Sequence, residues 1–182
     1  MKKIIFIFIL LLCFVGAFAE TGYRGMQWYS NSEAFPKKDQ INLEDLLVYE
    51  KVILGKKTFL FYALYKNQLQ FSAYVITKDK TEELKKELKK FKKTEIRADL
   101  TNANEYPGKT QIETETWMIS DAFEIVDEIE KTTPEEIKAA EDKTASGKIT
   151  IYDYNEDTRC YVIENYIAGH TAVVYVPHEQ EY

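Results

Sequence analysis

Four oxygen-bearing side chains in the C-terminal third of the chain have the spacing of a calcium-binding loop. Asp153, Asn155, Asp157 and Glu164 occupy positions one, three, five and twelve of a twelve-residue window. An EF-hand loop surrounds Ca²⁺ with oxygens from these positions. The sixth position, which needs glycine for a sharp bend, is Thr158, and both flanks have strand-like patterns. The spacing predicts a candidate calcium site, with an acidic hairpin turn and an unrelated glutamate as the alternative.

An aromatic cluster near the N-terminus contains residue types that bind sugars and peptides. Tyr23, Trp28 and Tyr29 lie within seven residues of one another. Such rings offer apolar faces to a ligand, while their O–H and N–H groups fix its orientation. The same residue types also fill hydrophobic cores. The three residues are therefore candidate ligand-binding residues, with a place in the core as the alternative.

Nucleophile, metal and cofactor chemistry have little support in the other residues. The two histidines, His170 and His178, would need added carboxylates to hold a metal. Cys160 could act as a nucleophile with His170 as its base, but it lies in a strand-like apolar run, where a buried thiol is inert. The sequence has no Gly-x-Ser-x-Gly elbow, phosphate-binding loop or dinucleotide fingerprint. We predict no catalytic residue and no cofactor.

The N-terminus has the three-part layout of a secretory signal peptide. Two lysines lead into an apolar run, Ile4–Val15, and the small residues Ala17 and Ala19 frame a cut before Glu20. The apolar stretch extends over fifteen residues, Ile4–Phe18, whereas a membrane-spanning helix needs roughly 20. We therefore predict cleavage of this segment and export to the periplasm or the medium.

The two cysteines bear on anchoring and on disulfides. Cys13 makes lipid attachment an alternative to secretion. However, lipoprotein signals carry a small residue directly before the modified cysteine, whereas Leu12 precedes Cys13. Cys160 is the cysteine that cleavage leaves, so no internal disulfide can form. Its apolar neighbours favour burial over an intermolecular disulfide.

The exported chain would be one acidic domain. Removing residues 1–19 leaves residues 20–182, which is long enough to bury a sizeable core. The signal takes two of the 24 Lys and Arg residues and none of the 30 Asp and Glu residues, which gives a net charge of −8. A nucleic-acid partner would demand a basic face on the protein. We therefore predict no nucleic-acid partner.

The start of the mature chain resembles a known group of proteins. Tyr23, Gly25, Met26 and Trp28 match an aromatic-x-Gly-aliphatic-x-Trp opening, although Tyr29 stands where a second glycine is usual. This segment is similar to the opening of a group of small exported bacterial domains that are largely uncharacterised. A looser likeness covers a strand pair, Gly55 to Tyr62 and Leu69 to Tyr74. The resemblance implies a fold more than a function and supplies no catalytic residues.

Apolar patterns predict two groups of strands around a helical middle. The six strands are Leu46–Leu54, Thr58–Tyr65, Leu69–Val75, Ile149–Tyr154, Arg159–Ile167 and Thr171–Val176. In the third strand, strict alternation predicts one buried face and one wetter face. The segment Gln111–Ile119 alternates Thr with Glu and is a seventh predicted strand.

Three segments have helical signals. Thr81–Lys93 carries one narrow apolar stripe and many lysines, so it docks on the sheet or, alternatively, lies on an anionic membrane. Asp121–Lys131 repeats apolar residues at helical spacing. A capping box with Thr133, Pro134 and Glu136 predicts a short helix that extends to about Lys143.

These observations predict an α+β domain with a mostly antiparallel sheet of about six or seven strands and helices on one face. For function we predict an exported, non-enzymatic module that binds another protein or an envelope component. The alternative is a secreted hydrolase that uses two carboxylates beside an aromatic groove, since the chain has 30 acids. A pocket with two acids of raised pKa would favour the hydrolase, and an exposed apolar patch would favour the binding module.

Overall fold

A computed structural model describes residues 22–98, 110–141, 147–167 and 169–178. The predicted signal peptide, residues 1–19, and a loop predicted at Asn102–Lys109 lie outside the described residues. Among the described helices, none is long and apolar enough to cross a membrane.

The described strands form one antiparallel sheet. They are β1 (Gln40–Leu43), β2 (Leu46–Ile53), β3 (Lys56–Tyr65), β4 (Gln68–Thr77), β5 (Lys93–Ala98), β6 (Gly147–Asn155), β7 (Thr158–Ile167) and β8 (His170–Pro177). The strand order is β1-β2-β3-β4-β8-β7-β6-β5, so two four-stranded meanders meet where β4 pairs with β8. The α+β class and the antiparallel sheet are confirmed, and the sheet has eight strands rather than six or seven.

The two additional strands, β1 and β5, are the edges of the sheet. An edge strand pairs on one side only, and charged or polar side chains protect it from association. In β5 the buried apolar residue is Ile96, and Lys93, Glu95 and Arg97 are exposed around it. Neither edge has the apolar run of an inner strand, which is why the sequence pattern misses both.

Three α-helices accompany the sheet: α1 (Lys78–Leu88), α2 (Gln111–Lys131) and α3 (Pro134–Glu141). The short helix predicted at the Thr133 capping box is confirmed, because Thr133 Oγ1 and Glu136 cap each other's backbone amides. The strand predicted at Gln111–Ile119 is wrong, since these residues form the first half of α2.

A second capping box explains why α2 starts where it does. The Thr110 hydroxyl accepts from the Glu113 amide, and the Glu113 carboxylate accepts from the Thr110 amide at 2.9 Å. The β-branched threonines that imitate a strand are satisfied within the helix, because Thr116 Oγ1 donates to the Ile112 carbonyl at 2.6 Å. Tertiary contacts of the apolar residues beyond Thr116 then outweigh the weak strand propensity of this segment.

The helices are divided between the two faces of the sheet rather than packed on one. Face A carries α2 and α3, and Met118 and Ala122 of α2 lie in its core. Face B carries α1, through Leu84 and Leu88, and the N-terminal segment, residues 22–35. The apolar stripe of α1 is therefore used against the protein's own sheet. A sheet covered on both sides needs apolar residues on both faces of its inner strands.

Strand β4 shows this double burial directly. Ala73 and Val75 lie in the core of face A, and Tyr74 and Ile76 lie in the core of face B. The prediction of a wetter face at Gln68, Gln70, Ser72 and Tyr74 is wrong at Ser72 and Tyr74, because the N-terminal segment and α1 cover that part of face B. Ser72, for example, has no solvent exposure.

Candidate functional site

The four residues of the candidate calcium site are not brought together. Asn155 and Asp157 lie at the β6–β7 turn, whereas Glu164 lies on β7, about 20 Å from Thr158 at the usual rise per residue. The Glu164 carboxylate contacts the Lys85 ammonium at 2.5 Å. Among the described residues, no group of three or more His, Cys, Asp or Glu side chains is placed to hold a metal ion.

The acidic turn instead fastens the N-terminal segment to the sheet. The Asp157 carboxylate accepts from the Gly22 amide at 3.2 Å and from Thr158 Oγ1 at 2.7 Å. Asn155 Nδ2 donates to the Gly22 carbonyl at 3.3 Å. Trp28 Nε1 donates to the buried Thr158 hydroxyl at 2.8 Å. Side chains with the spacing of metal ligands therefore act as anchors for residues about 130 positions earlier.

The three candidate aromatic residues separate into different environments. Tyr23 is 2% exposed and its ring stacks on Tyr175 with centroids 3.8 Å apart. Trp28 is buried in the core of face B, and Tyr29 is 50% exposed. Tyr23 lines a cavity beside α1, whereas Trp28 has the structural role of plugging the core.

The candidate nucleophile and the two histidines also lie apart. Cys160 is fully buried on face B, and burial raises the pKa of its thiol to about 12. His170 starts β8 on face A, near Glu115. His178 follows β8, where its Nε2 lies 2.9 Å from Arg159 Nη2. Cys160 therefore remains a protonated, buried thiol at neutral pH.

Glu115 is a buried carboxyl on α2. Its carboxylate accepts from Gln111 Nε2 at 2.6 Å, from Thr58 Oγ1 at 3.3 Å and from the Phe59 amide at 3.4 Å. Burial raises the pKa of Glu115 above its usual value of 4.5. Glu115 is not among the residues that line the cavities beside α1, β1 and β5.

Replacing Glu115 should change how stability depends on pH. Because its pKa is higher in the folded state, its protonated form stabilises the fold below about pH 4.5, and this contribution is lost as the pH rises through the raised pKa. We therefore expect the wild type to lose stability between about pH 4 and pH 7 relative to Glu115→Gln, which has no ionisable group at this position. Urea unfolding between about pH 4 and pH 7 measures this, with the exposed Glu128→Gln as control. An unchanged pH profile in Glu115→Gln would contradict the assignment.

A cavity at one end of face A is lined by a polar network. It lies between β5–β7 and the end of α2 and has a volume of about 580 Å³. Arg159 Nη1 donates to the Glu130 carboxylate at 3.1 Å, and the Tyr161 hydroxyl contacts the same oxygen. These groups satisfy one another and tie α2 to β7, which is a structural role.

A larger cavity at the other end of face A is an open apolar groove. Its volume is about 860 Å³, and it lies between the β1–β2 turn and α2. Phe71 of β4 and Phe123 of α2 stack with ring centroids 4.0 Å apart beside it. Its other apolar lining residues are Leu43, Leu46, Ala63, Ile112 and Trp117. Several of these are half-buried rather than buried, so apolar surface remains open to solvent.

The rim of this acid-rimmed groove carries one sign of charge. Glu44 and Asp45 form the β1–β2 turn on one side, and Glu113 and Glu124 of α2 lie on the other. No lysine or arginine is among the described residues that line it. The potential at the groove therefore attracts cations, and its floor accepts apolar side chains.

Sequence reasoning missed this groove for a definable reason. Ile112, Thr116 and Trp117 line the groove from one side of α2, but in a strand at Gln111–Ile119 Trp117 would face away from the other two. The signal that could have found them is the Thr110-x-x-Glu113 capping box, which fixes the start and the phase of the helix.

No protein-family model, curated protein or solved structure matches this chain. Its function is therefore inferred from the geometry of its cavities and surfaces alone.

Proposed function

We propose that this chain is an exported, non-enzymatic binding module that takes an apolar, lysine- or arginine-flanked segment of a partner protein into the acid-rimmed groove. The observation that carries the proposal is the combination of an open apolar floor with a rim of four carboxylates and no cation among the described lining residues. An exposed apolar patch rimmed by polar groups is typical of an interaction site. Export is supported by the signal-like N-terminus.

Charge complementarity selects the occupant. An apolar segment with acidic flanks would place like charges against Glu44 and Glu124, whereas basic flanks form ion pairs there. The half-buried indole of Trp117 and the adjacent Phe123 supply the aromatic contact that anchors apolar side chains in interfaces. The edge strand β1 lies beside the groove and leaves one side of its backbone unpaired within the described sheet.

The test uses the protein recovered from cells that express the full chain, and a synthetic peptide with a leucine and valine centre and two lysines at each end. We expect Glu124→Lys to lower the affinity for this peptide about fivefold, since the substitution replaces an exposed ion pair with a repulsion between like charges. Glu128→Lys, one turn further along α2 and outside the groove, is the matched control and should change the affinity less than about twofold. Fluorescence anisotropy of the labelled probe measures both.

Two outcomes would overturn the proposal. One is equal affinity for the lysine-flanked probe and a glutamate-flanked peptide of the same centre. The other is concentration-dependent dimerisation that Glu124→Lys abolishes, which would assign the groove to a second copy of the chain.

A further inference from the structure

A separate cavity on face B is lined by tyrosines. Its volume is about 390 Å³, and it lies between α1, the β2–β3 turn and the start of the N-terminal segment. This is at the lower end of the range of about 300–1,000 Å³ that small-molecule sites occupy. Its aromatic lining residues are Tyr23, Tyr74, Phe91, Tyr154 and Tyr175.

A tight turn holds Arg24 at this tyrosine pocket. Tyr23 and Met26 pair across the turn, and Arg24 has a left-handed backbone with φ of +52°. The turn needs glycine at Gly22, because a Cβ there would lie 1.9 Å from the Met26 carbonyl oxygen. Strained, over-determined backbone of this kind is concentrated at functional sites.

The Arg24 guanidinium is positioned but not neutralised. Its Nε donates to the Tyr23 hydroxyl at 2.9 Å, and its Cζ lies 5.5 Å from the Tyr23 ring centroid. Among the described residues, no carboxylate lies within ion-pair distance of it. A guanidinium with free donors beside a cavity is suited to bind a ligand carboxylate through two parallel hydrogen bonds.

The opposite charge is available on α1. Glu83 and Glu87 both line the pocket. Lys80 neutralises Glu83 at 2.6 Å, whereas Glu87 is exposed and has no ion pair within the described part of the chain. Val52, 64% exposed, adds apolar surface at the same cavity. The pocket therefore offers two cations, Arg24 and the exposed Lys90, the Glu87 carboxylate, and an apolar, aromatic wall.

We propose that the tyrosine pocket binds a small zwitterion, an apolar amino acid or dipeptide, with its carboxylate on Arg24 and its ammonium group on Glu87. Its apolar side chain lies against Phe91, Tyr154 and Val52. This site is on the opposite face of the sheet from the acid-rimmed groove, and it does not depend on the function proposed for that groove.

The test titrates the protein recovered from full-chain expression with phenylalanine and with alanyl-phenylalanine, followed by saturation-transfer NMR. Two analogues remove one charge each: phenylalaninamide lacks the carboxylate and N-acetylphenylalanine lacks the ammonium group. We expect each analogue to bind at least about fivefold more weakly than phenylalanine, because each loses one charge-assisted contact. Equal binding of the amide, or no binding of either zwitterion at millimolar concentration, would overturn the proposal.

Two variants test which residue binds each charged group of the ligand. Arg24→Gln should weaken the binding of phenylalanine at least about fivefold and leave the affinity for phenylalaninamide unchanged. Glu87→Gln should also weaken the binding of phenylalanine at least about fivefold, but it should leave the affinity for N-acetylphenylalanine unchanged. Lys86→Gln, which is exposed on α1 outside the cavity, is the matched control. All three positions are exposed, so circular dichroism should show folded proteins. Loss of binding in the control as well as in both variants would contradict the assignment.

Discussion

We expect Tyr175→Ala to lower the free energy of unfolding by about 3–5 kcal/mol, the range found when a large buried aromatic residue is truncated. Tyr175 of β8 is 3% exposed and lies where the two meanders meet. Its ring stacks on Tyr23, meets Tyr154 edge to face at 5.2 Å, and its hydroxyl lies 3.4 Å from that of Tyr74. Removing the ring leaves a cavity and also removes the surface on which the N-terminal segment docks.

Urea unfolding followed by circular dichroism measures this effect. The control is Tyr65→Ala, since Tyr65 is 62% exposed at the end of β3 and should change stability by less than about 0.5 kcal/mol. Equal losses in the two variants would show that the aromatic cluster of face B does not carry the stability assigned to it.

The second large effect concerns binding. We expect Trp117→Ala to lower the affinity for the lysine-flanked peptide about thirtyfold, because an aromatic anchor at the centre of an interface contributes about 2 kcal/mol or more to the free energy of binding. Trp117 is half-buried on α2 and lines the acid-rimmed groove beside Phe123. Trp117→Phe keeps an aromatic side chain and should retain most of the affinity.

Thermal unfolding separates this effect from a loss of structure. Trp117 also contacts the core of face A, so the alanine variant should melt at a lower temperature but remain folded at room temperature. Probe affinity that stays within about twofold of the wild type in a folded Trp117→Ala protein would place the peptide elsewhere.

Strands β6, β7 and β8 are predictable from the sequence. Cys160, Tyr161, Val162 and Ile163 form a continuous apolar run, and such a run is what a strand covered on both faces requires. Edge strands β1 and β5 lack this signal, because a strand that pairs on one side must keep polar side chains. Local sequence therefore indicates the centre of this sheet better than its edges.

Helix α2 shows how local propensity can mislead. Thr114 and Thr116 favour a strand by residue type, yet both hydroxyls donate to backbone carbonyls four residues earlier. The helix depends on the Thr110–Glu113 cap and on the contacts of Met118 and Ala122 with the sheet. The cap was readable from the sequence, whereas the contacts with the sheet were not.

The candidate sites also contain residues that the sequence indicates and residues that only the fold brings together. Tyr23 is a candidate because it is an aromatic residue in a distinctive opening, whereas Arg24 lies at the cavity only because of the turn that places it. The acid-rimmed groove joins the β1–β2 turn to residues of α2 that lie far along the chain, for example Asp45 to Glu113. No local pattern brings such segments together, since their proximity is a property of the sheet order.

The most direct test of the proposed function is a map of where the lysine-flanked peptide contacts the protein. Two-dimensional NMR of the isotopically labelled protein, recorded as the peptide is added, reports this residue by residue. We predict that the shifted amides cluster in two segments, Leu43–Leu46 and Ile112–Glu124, and that those of the tyrosine pocket stay unchanged. Shifts that leave both groove segments unaffected would contradict the assignment of the groove as a protein-binding site.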